Sequence, residues 1–282
     1  MKKKLTAVIL AVLLTLTISA CVSEDNDKIT ADELGITPTP TPTGPPLFSF
    51  AVMGDNGSIN PAFEAIISEI ENNDDINFVL HAGDITDGKS ASEMQTAKEY
   101  LETNLSKPYH LTIGDNDYIV DSSGKRTDTA FQTNFGPTAT SFDYQNSHFA
   151  IINSTDETNS FTDEELDWLE EDLSQTDKDF VFVLMHVPVK LPMADSILGE
   201  PSAQAKQQND RFQEIITEYD VDQIYTGHFH GYLNYEIENI PVTVTGGGGS
   251  SPQFGFEKDY HYVLVTVYED GFVNKYQPIE TR

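Results

Sequence analysis

A hydrophobic run that ends abruptly in an aspartate or a histidine occurs five times in this chain, and this pattern constrains the fold more than any other feature. Each run is long enough for a buried strand, and each ends in a side chain that can bind a metal ion. Because the carboxyl ends of parallel strands meet at one edge of a sheet, we predict that the five ends converge on one crevice. The runs occupy residues 48–55, 78–84, 109–115, 180–186 and 221–230.

The fifth run ends in two histidines, His228 and His230, that are separated by one residue. In a regular strand this spacing places both rings on one face, whereas at a strand end the turn can direct them toward two neighbouring ions. An isolated pair of this kind is more often structural than metal-binding. Four other runs of the same build accompany this pair, so we predict that both histidines bind metal.

The first half of the folded region predicts parallel strands. Strands are expected at 48–53, 77–82 and 109–113, and a helix over 92–105 separates the last two. The first helix begins at Asn60, which is typical of an N-cap and is followed by a first-turn proline. The order strand, helix, strand, helix, strand indicates a parallel arrangement with right-handed crossovers.

The second half predicts a further sheet with helices beside it. Residues 118–140 are expected to form a long polar loop, and Thr162 begins a helix through a capping box. Short turns indicate that the last four strands are antiparallel, so the whole chain predicts two mixed sheets flanked by helices. The remaining predictions are strands at 142–144, 148–153 and 180–185, a helix over 203–219, and strands at 232–237, 242–245, 260–268 and 272–277.

The first 21 residues predict an export signal. Three lysines precede an apolar run at 5–20 that is short for a transmembrane helix. The run ends in Ile-Ser-Ala-Cys, which is similar to a bacterial lipobox with Cys21 as the lipidated residue. Ordinary cleavage and an uncleaved anchor are the alternatives. Because Cys21 is the only cysteine, no disulfide framework is expected.

Residues 22–46 predict a Thr/Pro-rich linker, because alternating prolines favour an extended polyproline II segment. The folded domain is expected to occupy 47–282. Together with Cys21, these boundaries predict an extracytoplasmic lipoprotein that is anchored to the membrane of the cell envelope. One acyl chain binds a membrane only weakly, so stable anchoring would require a diacylated cysteine.

The formal net charge of −30 limits the partners that the chain can bind. Such an acidic surface repels nucleic-acid backbones, so we expect no nucleic-acid partner. Most of the carboxylates are expected to solvate the surface. A few of them are predicted to serve as metal ligands.

Five short motifs resemble those of the calcineurin-like metallophosphoesterase superfamily, and the resemblance covers essentially all of 47–282. The first, fourth and fifth are most similar to the purple acid phosphatase branch, as is a glycine-rich segment at 246–249. A single Gly-Asp pair carries almost no information, whereas five motifs in register are specific. The motifs are Gly-Asp-Asn-Gly at 54–57, Gly-Asp-Ile-Thr-Asp at 83–87, Gly-Asp-Asn-Asp at 114–117, Val-Leu-Met-His at 183–186 and Gly-His-Phe-His at 227–230.

The resemblance implies an α/β fold, a four-layer α-β-β-α sandwich, with two metal ions a few ångströms apart. Asp84 would bridge the ions, because a carboxylate has two oxygens that can each bind one ion. Carboxylate and imidazole ligands suit iron, zinc or manganese better than magnesium or calcium. The resemblance implies that one ion takes Asp55 and His230, and that the other takes Asp115, His186 and His228.

The implied activity is hydrolysis of a phosphoester by a metal-bound hydroxide. We expect a small phosphorylated substrate, either a phosphomonoester or a small phosphodiester, with the loops at 118–140 and 191–201 at the substrate rim. Three alternatives stay open. They are a family member that binds metal but has lost catalysis, a nuclease or cyclic-nucleotide phosphodiesterase, and a binding domain whose histidines are structural.

Three motifs depart from the family pattern. Gly57 stands where most of the superfamily has a histidine, and Asp87 stands where the purple acid phosphatase branch has a tyrosine. Asp87 is either a ligand of the first ion or a turn-forming residue. In the third motif, Asp115 replaces an asparagine ligand and Asn116 replaces the histidine near the substrate. Asn116 occupies a catalytic position but cannot donate a titrating proton, which could cost on the order of 10²–10⁴ in rate.

Four further histidines have no place in the five motifs. Each lies in or beside a predicted strand, and structural roles are expected for all of them. His81 and His148 could additionally supply hydrogen bonds to the metal ligands. The other two are His110 and His261.

Overall fold

The computed structural model describes residues 42–88, 90–120, 123–156, 159–192, 201–252 and 259–280. The predicted signal peptide, Cys21 and most of the predicted linker lie outside these residues, and so does most of the predicted rim segment 191–201. None of the helices in the described part of the chain is both long enough and apolar enough to cross a membrane.

The described residues contain thirteen strands and five α-helices. The strands are β1 (Phe48–Met53), β2 (Ile76–His81), β3 (Tyr109–Leu111), β4 (Ile119–Val120), β5 (Arg126–Thr127), β6 (Thr140–Tyr144), β7 (Ser147–Ile151), β8 (Phe180–Leu184), β9 (Gln223–Thr226), β10 (Tyr232–Ile237), β11 (Ile240–Thr245), β12 (His261–Val267) and β13 (Phe272–Pro278). The helices are α1 (Pro61–Glu71), α2 (Ala91–Asn104), α3 (Thr129–Phe135), α4 (Asp163–Leu173) and α5 (Ala203–Glu218).

Two large mixed sheets form the centre of the fold, as predicted. The first has the order β13-β12-β1-β2-β3, in which β1, β2 and β3 are parallel and β12 and β13 are antiparallel to their neighbours. The second has the order β10-β11-β9-β8-β7-β6, with parallel pairs from β7 through β8 and β9 to β11. The expected antiparallel pairing therefore holds for β10 with β11 and for β12 with β13, but β11 also pairs in parallel with β9.

Aromatic side chains fill the space between the two sheets. Phe50 and Phe78 of the first sheet stack at 5.1 Å with planes 4° apart, and Phe149 and Phe182 of the second stack at 5.0 Å. Phe50 contacts both rings of the second sheet edge to face, at 5.2 and 5.5 Å. Such aromatic pairs add to the free energy gained by burial, and they fix the two sheets face to face.

Helices cover both outer faces, which confirms the predicted four-layer α-β-β-α sandwich. Buried side chains of α1, α2 and α3 pack with those of β1 and β2, whereas α4 and α5 pack on β8, β9 and β11. The predicted helix starts are also correct. Asn60 accepts hydrogen bonds from the first backbone N–H groups of α1, and Thr162 and Glu165 form the capping box of α4.

The prediction of a long polar loop over 118–140 is wrong. This segment contains the hairpin of β4 and β5 and the helix α3. Phe131 of α3 is fully buried, packs against Phe135 at 5.5 Å and joins the core beneath α2. One buried side chain within seven residues is too short a pattern to indicate a helix from the sequence.

Candidate metal centre

The carboxyl ends of the strands gather six of the predicted ligands into two adjacent groups. In each group, one ligand atom from every member lies within 4.8 Å of the others. We call Asp115, His186 and His228 the histidine-rich group. We call Asp55, Asp84 and His230 the aspartate-rich group.

The backbone bends sharply where these ligands leave the strands. Asp55, Asp84 and His228 have positive φ angles of 62°, 55° and 69°, a region that side-chain-bearing residues seldom adopt. Such strain persists where surrounding contacts hold it, and it is often found at functional sites. The backbone N–H of Asp55 donates to the carbonyl of Gly83 at 2.9 Å. Gly114 passes so close to Asp84 that an added Cβ would lie 2.1 Å from its backbone nitrogen.

Members of the histidine-rich group contact one another directly. One oxygen of Asp115 lies 2.9 Å from His186 Nε2 and 2.9 Å from His228 Nδ1. Burial opposes ionisation of Asp115, but the two histidines outweigh it and hold its pKa well below the usual value. Burial likewise lowers the pKa of His186, whereas Asp84 and Asp115 raise it to about 10. The group is therefore stabilised by charge-assisted hydrogen bonds between its own members.

Members of the aspartate-rich group are held by hydrogen bonds from residues that do not belong to the group. Both oxygens of Asp55 accept the backbone N–H of His228, at 2.9 and 3.0 Å. His230 Nε2 lies 3.7 Å from Asp55, beyond hydrogen-bond distance. Asp55 is completely buried, and this burial raises its pKa well above the usual value, with a further contribution from the negative charge of Asp84. This group carries an excess of negative charge that no member neutralises at short range.

Asp84 lies between the two groups, and Asn116 holds it there. The backbone N–H of Asn116 donates to one oxygen of Asp84 at 2.9 Å, and its side-chain amide donates to the other at 2.7 Å. The first of these oxygens is also 3.5 Å from His186 Nε2. The residue at the predicted catalytic position therefore contacts the predicted bridging carboxylate through two donors.

Asp117 is the site residue that the sequence reasoning missed. Its buried carboxylate accepts the backbone N–H groups of Asp84 and Gly114 at 2.9 Å and both donors of Thr86 at 3.0 and 3.1 Å. Burial raises its pKa to about 7, together with the negative charge of Asp84. Asp117 thus fixes the loop that carries Asp84. Its place in the third motif was visible, but its partners Asp84 and Thr86 lie more than 30 residues away along the chain.

The donor atoms present fit two cations. A carbonyl oxygen can only accept, so the 2.7 Å contact with Ala82 places the proton of His186 on Nδ1. The 3.0 Å contact with Ser251 does the same for His230. Both rings therefore present Nε2 toward their groups, as metal-binding histidines commonly do. The raised pKa values of Asp55 and Asp117 come from burial together with carboxylate repulsion, and a bound cation would relieve that repulsion.

Asp87 belongs to neither group. It is exposed and lies beside Gly57, where an added Cβ would be 2.6 Å from one Asp87 oxygen. It lines a cavity of about 650 Å³ together with His230, Ser250 and Tyr260. Direct ligation by Asp87 stays a prediction. The cavity connects its position with the aspartate-rich group.

The other histidines have structural contacts. His81 Nε2 lies 2.8 Å from Asn56, the neighbour of Asp55, and burial lowers its pKa to about 3. His148 instead lies between Asp143 and Asp172, at 2.8 and 2.9 Å. The expectation that His148 supports the metal ligands is therefore wrong, because both its ring nitrogens contact carboxylates that belong to neither group.

His110 and His261 are also held by contacts within the fold. His110 stacks on Phe142 at 3.9 Å. His261 Nδ1 lies 2.9 Å from the carbonyl of Asp259, and its ring packs against Tyr276 at 4.8 Å. These contacts agree with the predicted structural roles.

Comparison with known proteins relates this arrangement to phosphatases. A segment of 105 residues is 30% identical to the phosphoenolpyruvate phosphatase of Allium cepa, and it covers 36% of this chain and 20% of that protein. Among solved structures, the purple acid phosphatase PPD1 of Lupinus luteus superposes with a TM-score of 0.64 at 17% identity, over 82% of this chain and 51% of that one. GAP50, the anchor in the inner membrane complex of Plasmodium, gives 0.62 at 15% identity, over 83% and 86%.

The two structural similarities show a shared fold. The chain spans about half the length of the lupin enzyme, and the segment that it shares with the onion enzyme is a fifth of that protein. The sequence profile of the calcineurin-like phosphoesterase domain matches residues 48–232, which is most of the described chain and includes both ligand groups. This protein therefore belongs to the calcineurin-like phosphoesterase family.

Proposed function

We propose that this chain is a binuclear metal-dependent hydrolase of phosphoester bonds, acting on a phosphomonoester or a small phosphodiester. The observation that carries the proposal is the convergence of six predicted ligands into two adjacent groups, with one oxygen of Asp84 3.5 Å from His186 of the other group. The family to which the chain belongs supports the same chemistry. The aspartate-rich group would hold one ion and the histidine-rich group the other, and Asp84 would contact both.

The ligand chemistry favours iron, zinc or manganese, in the divalent or trivalent state. When bound, two such ions would polarise the phosphoester and lower the pKa of a water molecule. The chain itself would hold the metal ligands in fixed orientations. Asn116 holds both oxygens of Asp84, and the carbonyl of Ala82 holds the His186 ring in one tautomer. Ligands fixed in this way lose little freedom when a cation binds.

A second candidate function is metal binding without efficient turnover, and Asn116 is the observation that favours it. Its amide is already bonded to Asp84 at 2.7 Å, and an amide cannot supply a proton to a leaving group. If the chain is an enzyme despite Asn116, it would hydrolyse esters with good leaving groups and discriminate strongly against alkyl esters. If the chain only binds metal, it would hold two ions and hydrolyse neither the esters with good leaving groups nor the alkyl esters.

The proposed substrate is small. The net charge of −30 disfavours long polyanions, so no nucleic-acid substrate is proposed. The cavity beside His230 and Asp87 has room for the alcohol part of a small ester, and Asn60, Ser250 and Tyr260 supply polar groups in its wall. The hairpin of β4 and β5 lies beside Asp115 and would form another part of the rim.

We also propose that the protein acts outside the cytoplasm as a lipoprotein attached through Cys21. The sequence of residues 1–21 and the proline-rich segment after it support this location. Labelling of cells with a radioactive fatty acid tests it. The label is expected on the wild-type chain and absent from Cys21→Ala, and a labelled Cys21→Ala protein would contradict lipidation at this residue.

Elemental analysis together with a panel of phosphate esters tests the main proposal on the full chain. Two ions per chain are expected, with turnover that a chelator abolishes and that Mn²⁺, Zn²⁺ or iron restores. Two ions without turnover would favour the second candidate. A ratio of diester to monoester activity well above one would indicate a phosphodiesterase. A metal-free, inactive protein would contradict every metal-dependent function.

A further inference from the structure

Arg126 of strand β5 lies at the edge of the metal centre. Its Nη2 donates to the backbone carbonyl of Asp115 at 3.2 Å, and its Nη1 donates to the backbone carbonyl of Asp156 at 3.4 Å. Its Cζ lies 4.0 Å from the centroid of the Tyr118 ring, a distance typical of a cation–π contact. The guanidinium is therefore fixed beside a predicted ligand in the absence of substrate.

The charge of Arg126 is not neutralised by any carboxylate in the described part of the chain. Four other cations do form such ion pairs. A guanidinium has five N–H donors, and the two described hydrogen bonds use two of them. The paired cations are Lys98 with Glu102, Lys178 with Asp143, Lys190 with Asp210, and Arg211 with Asp167 and Glu170.

An anion is the ligand that suits such a group. A guanidinium binds phosphate oxygens through its planar array of N–H donors, and it stays charged at any pH of interest. The backbone of Asp115 connects this cation to the histidine-rich group, so the anion would lie against both. In a protein with a net charge of −30, a fixed cation at this position offers an anion a local attraction that most of the surface does not.

The number of phosphoryl oxygens indicates which ester would use Arg126. A phosphomonoester has three terminal oxygens and, near neutral pH, up to two negative charges, whereas a phosphodiester has two terminal oxygens and one charge. Two ions can accept two oxygens, so only the monoester has a third to offer to an N–H donor.

We propose that Arg126 binds the phosphoryl group of a phosphomonoester and so favours monoesters over diesters. This inference rests on the proposed function.

A purely structural role for Arg126 makes a different prediction. In that case the side chain would only join the β4–β5 hairpin to Asp115 and Asp156, and its loss would lower the melting temperature or the metal content. Affinity for phosphate, measured on protein that still holds two ions, would not change. Phosphate binding therefore separates the two roles without any measurement of turnover.

The experiment is calorimetric titration of inorganic phosphate into the full chain loaded with Mn²⁺ or Zn²⁺. Arg126→Gln is expected to weaken phosphate binding about 10–100-fold, because a hydrogen bond to a charged group contributes about 1.5–3 kcal/mol. Arg126→Lys keeps the charge and loses the planar fork, so a smaller loss is expected. Lys125→Gln is the matched control. It removes the same charge from the adjacent, exposed residue, and it should change the affinity less than about 2-fold.

Turnover supplies a second readout. The ratio of kcat/KM for p-nitrophenyl phosphate to that for bis(p-nitrophenyl) phosphate is expected to fall in Arg126→Gln and to stay constant in Lys125→Gln. Equal phosphate affinity in these two variants would overturn the proposal, even if the wild type hydrolyses esters. If Arg126→Gln loses its ions, Arg126→Lys decides, and wild-type phosphate affinity with reduced thermal stability would assign a structural role.

Failure of the proposed function has a different signature. A wild-type protein that hydrolyses no ester, yet binds phosphate through Arg126, would refute the enzyme and leave the anion site in place. A protein that hydrolyses esters equally well with and without Arg126 would refute the anion site and leave the proposed enzyme in place.

Discussion

The histidine-rich and aspartate-rich groups use similar residues but are held together by opposite means. In the histidine-rich group, two imidazoles contact one carboxylate oxygen at 2.9 Å each. In the aspartate-rich group, the histidine is 3.7 Å from Asp55, and donors from elsewhere in the fold hold the two carboxylates. The first group can balance its charge with a proton on His186, whose pKa is raised to about 10. The second has two carboxylates and one distant imidazole, so its balance depends on a cation.

This difference indicates which group lowers the stability of the metal-free fold. Burial and the neighbouring charge of Asp84 raise the pKa of Asp55, so keeping that carboxylate ionised lowers the stability of the metal-free fold. The Asn116 amide donates to the Asp84 carboxylate, and the Asp117 carboxylate accepts the backbone N–H of Asp84, so the loop that carries Asp84 is prevented from moving away. A cation therefore gains more by entering the aspartate-rich group, where it replaces repulsion with attraction. We expect metal binding to stabilise this side of the centre most.

Replacement of Asp84, the carboxylate predicted to contact both ions, should impair both groups. Asp84→Asn removes the charge that both ions would contact, so we expect fewer than two ions per chain. Several kcal/mol of transition-state stabilisation would be lost, which corresponds to a drop in kcat/KM on the order of 10³-fold. Elemental analysis and a p-nitrophenyl phosphate assay check this. Asp167→Asn, at an exposed carboxylate paired with Arg211, is the control. Two retained ions with less than about 10-fold loss would contradict a bridging role.

Removal of one histidine from each group should separate the two. His228→Ala and His230→Ala are each expected to lose one ion and about 10²-fold in activity. His228→Ala removes a hydrogen bond to the charged Asp115 carboxylate, whereas His230→Ala removes one to the neutral carbonyl of Ser251. His228→Ala should therefore be the less stable variant in the metal-free state, by about 1 kcal/mol. Urea unfolding in the presence of a chelator measures that difference. Equal metal-free stabilities would show that the contacts in the histidine-rich group do not hold it together.

Loss of the external support should weaken the aspartate-rich group in particular. Asn116→Ala removes the 2.7 Å hydrogen bond to Asp84 and leaves the histidine-rich contacts intact. Groups that orient metal ligands typically contribute 10–100-fold to metal affinity, and we expect a loss of about that size for one of the two ions. Competition with a chromophoric chelator should then show two dissociation constants further apart than in the wild type. A parallel weakening of both ions would indicate that Asn116 supports the whole centre equally.

The sequence predicted that the side chains of both groups would gather, because each stands at or just after the end of a strand. A buried run followed by a polar residue is a local signal, and the parallel arrangement then brings distant ends to one edge. This reasoning located Asp55, Asp84 and His186 near one another, as the structure has them. Whether these side chains bind metal stays a prediction.

The parts that could not be predicted depend on contacts between distant segments. Asp117 acts on the backbone of a loop some 30 residues away, and no local pattern marks that. Arg126 lay in a segment whose polar composition indicated a loop, and only the hairpin places it beside Asp115. His148 begins a predicted strand and was expected to be able to supply a hydrogen bond to the metal ligands, yet its carboxylate partners lie outside the centre.

His148 differs from His186 of the histidine-rich group in the partners of its ring nitrogens. His186 donates through Nδ1 to a carbonyl and keeps Nε2 for its group, whereas His148 has a carboxylate at both nitrogens. Burial opposes protonation of His148, but Asp172 and Asp143 outweigh it and raise its pKa. Its two carboxylates contact different nitrogens on opposite sides of the ring, so they cannot join one ring nitrogen around a single ion, and this cluster is expected to stabilise the fold and to bind no ion.

The pH dependence of stability tests this contrast. Because the folded pKa of His148 is raised above the unfolded value of about 6.5, its contribution is fully present below that pH and is lost as the pH rises through the folded pKa. Asp143 is half exposed, so solvent screening limits the contribution to about 1 kcal/mol or less. The difference in unfolding free energy between wild type and His148→Gln, with chelator present in both, should therefore shrink between pH 6 and pH 9. The titration of His186 cancels in that difference, since both proteins contain this residue. A difference that grows with pH would mean that His148 is neutral in the folded state, and its resemblance to a metal-binding histidine would then have to be reconsidered.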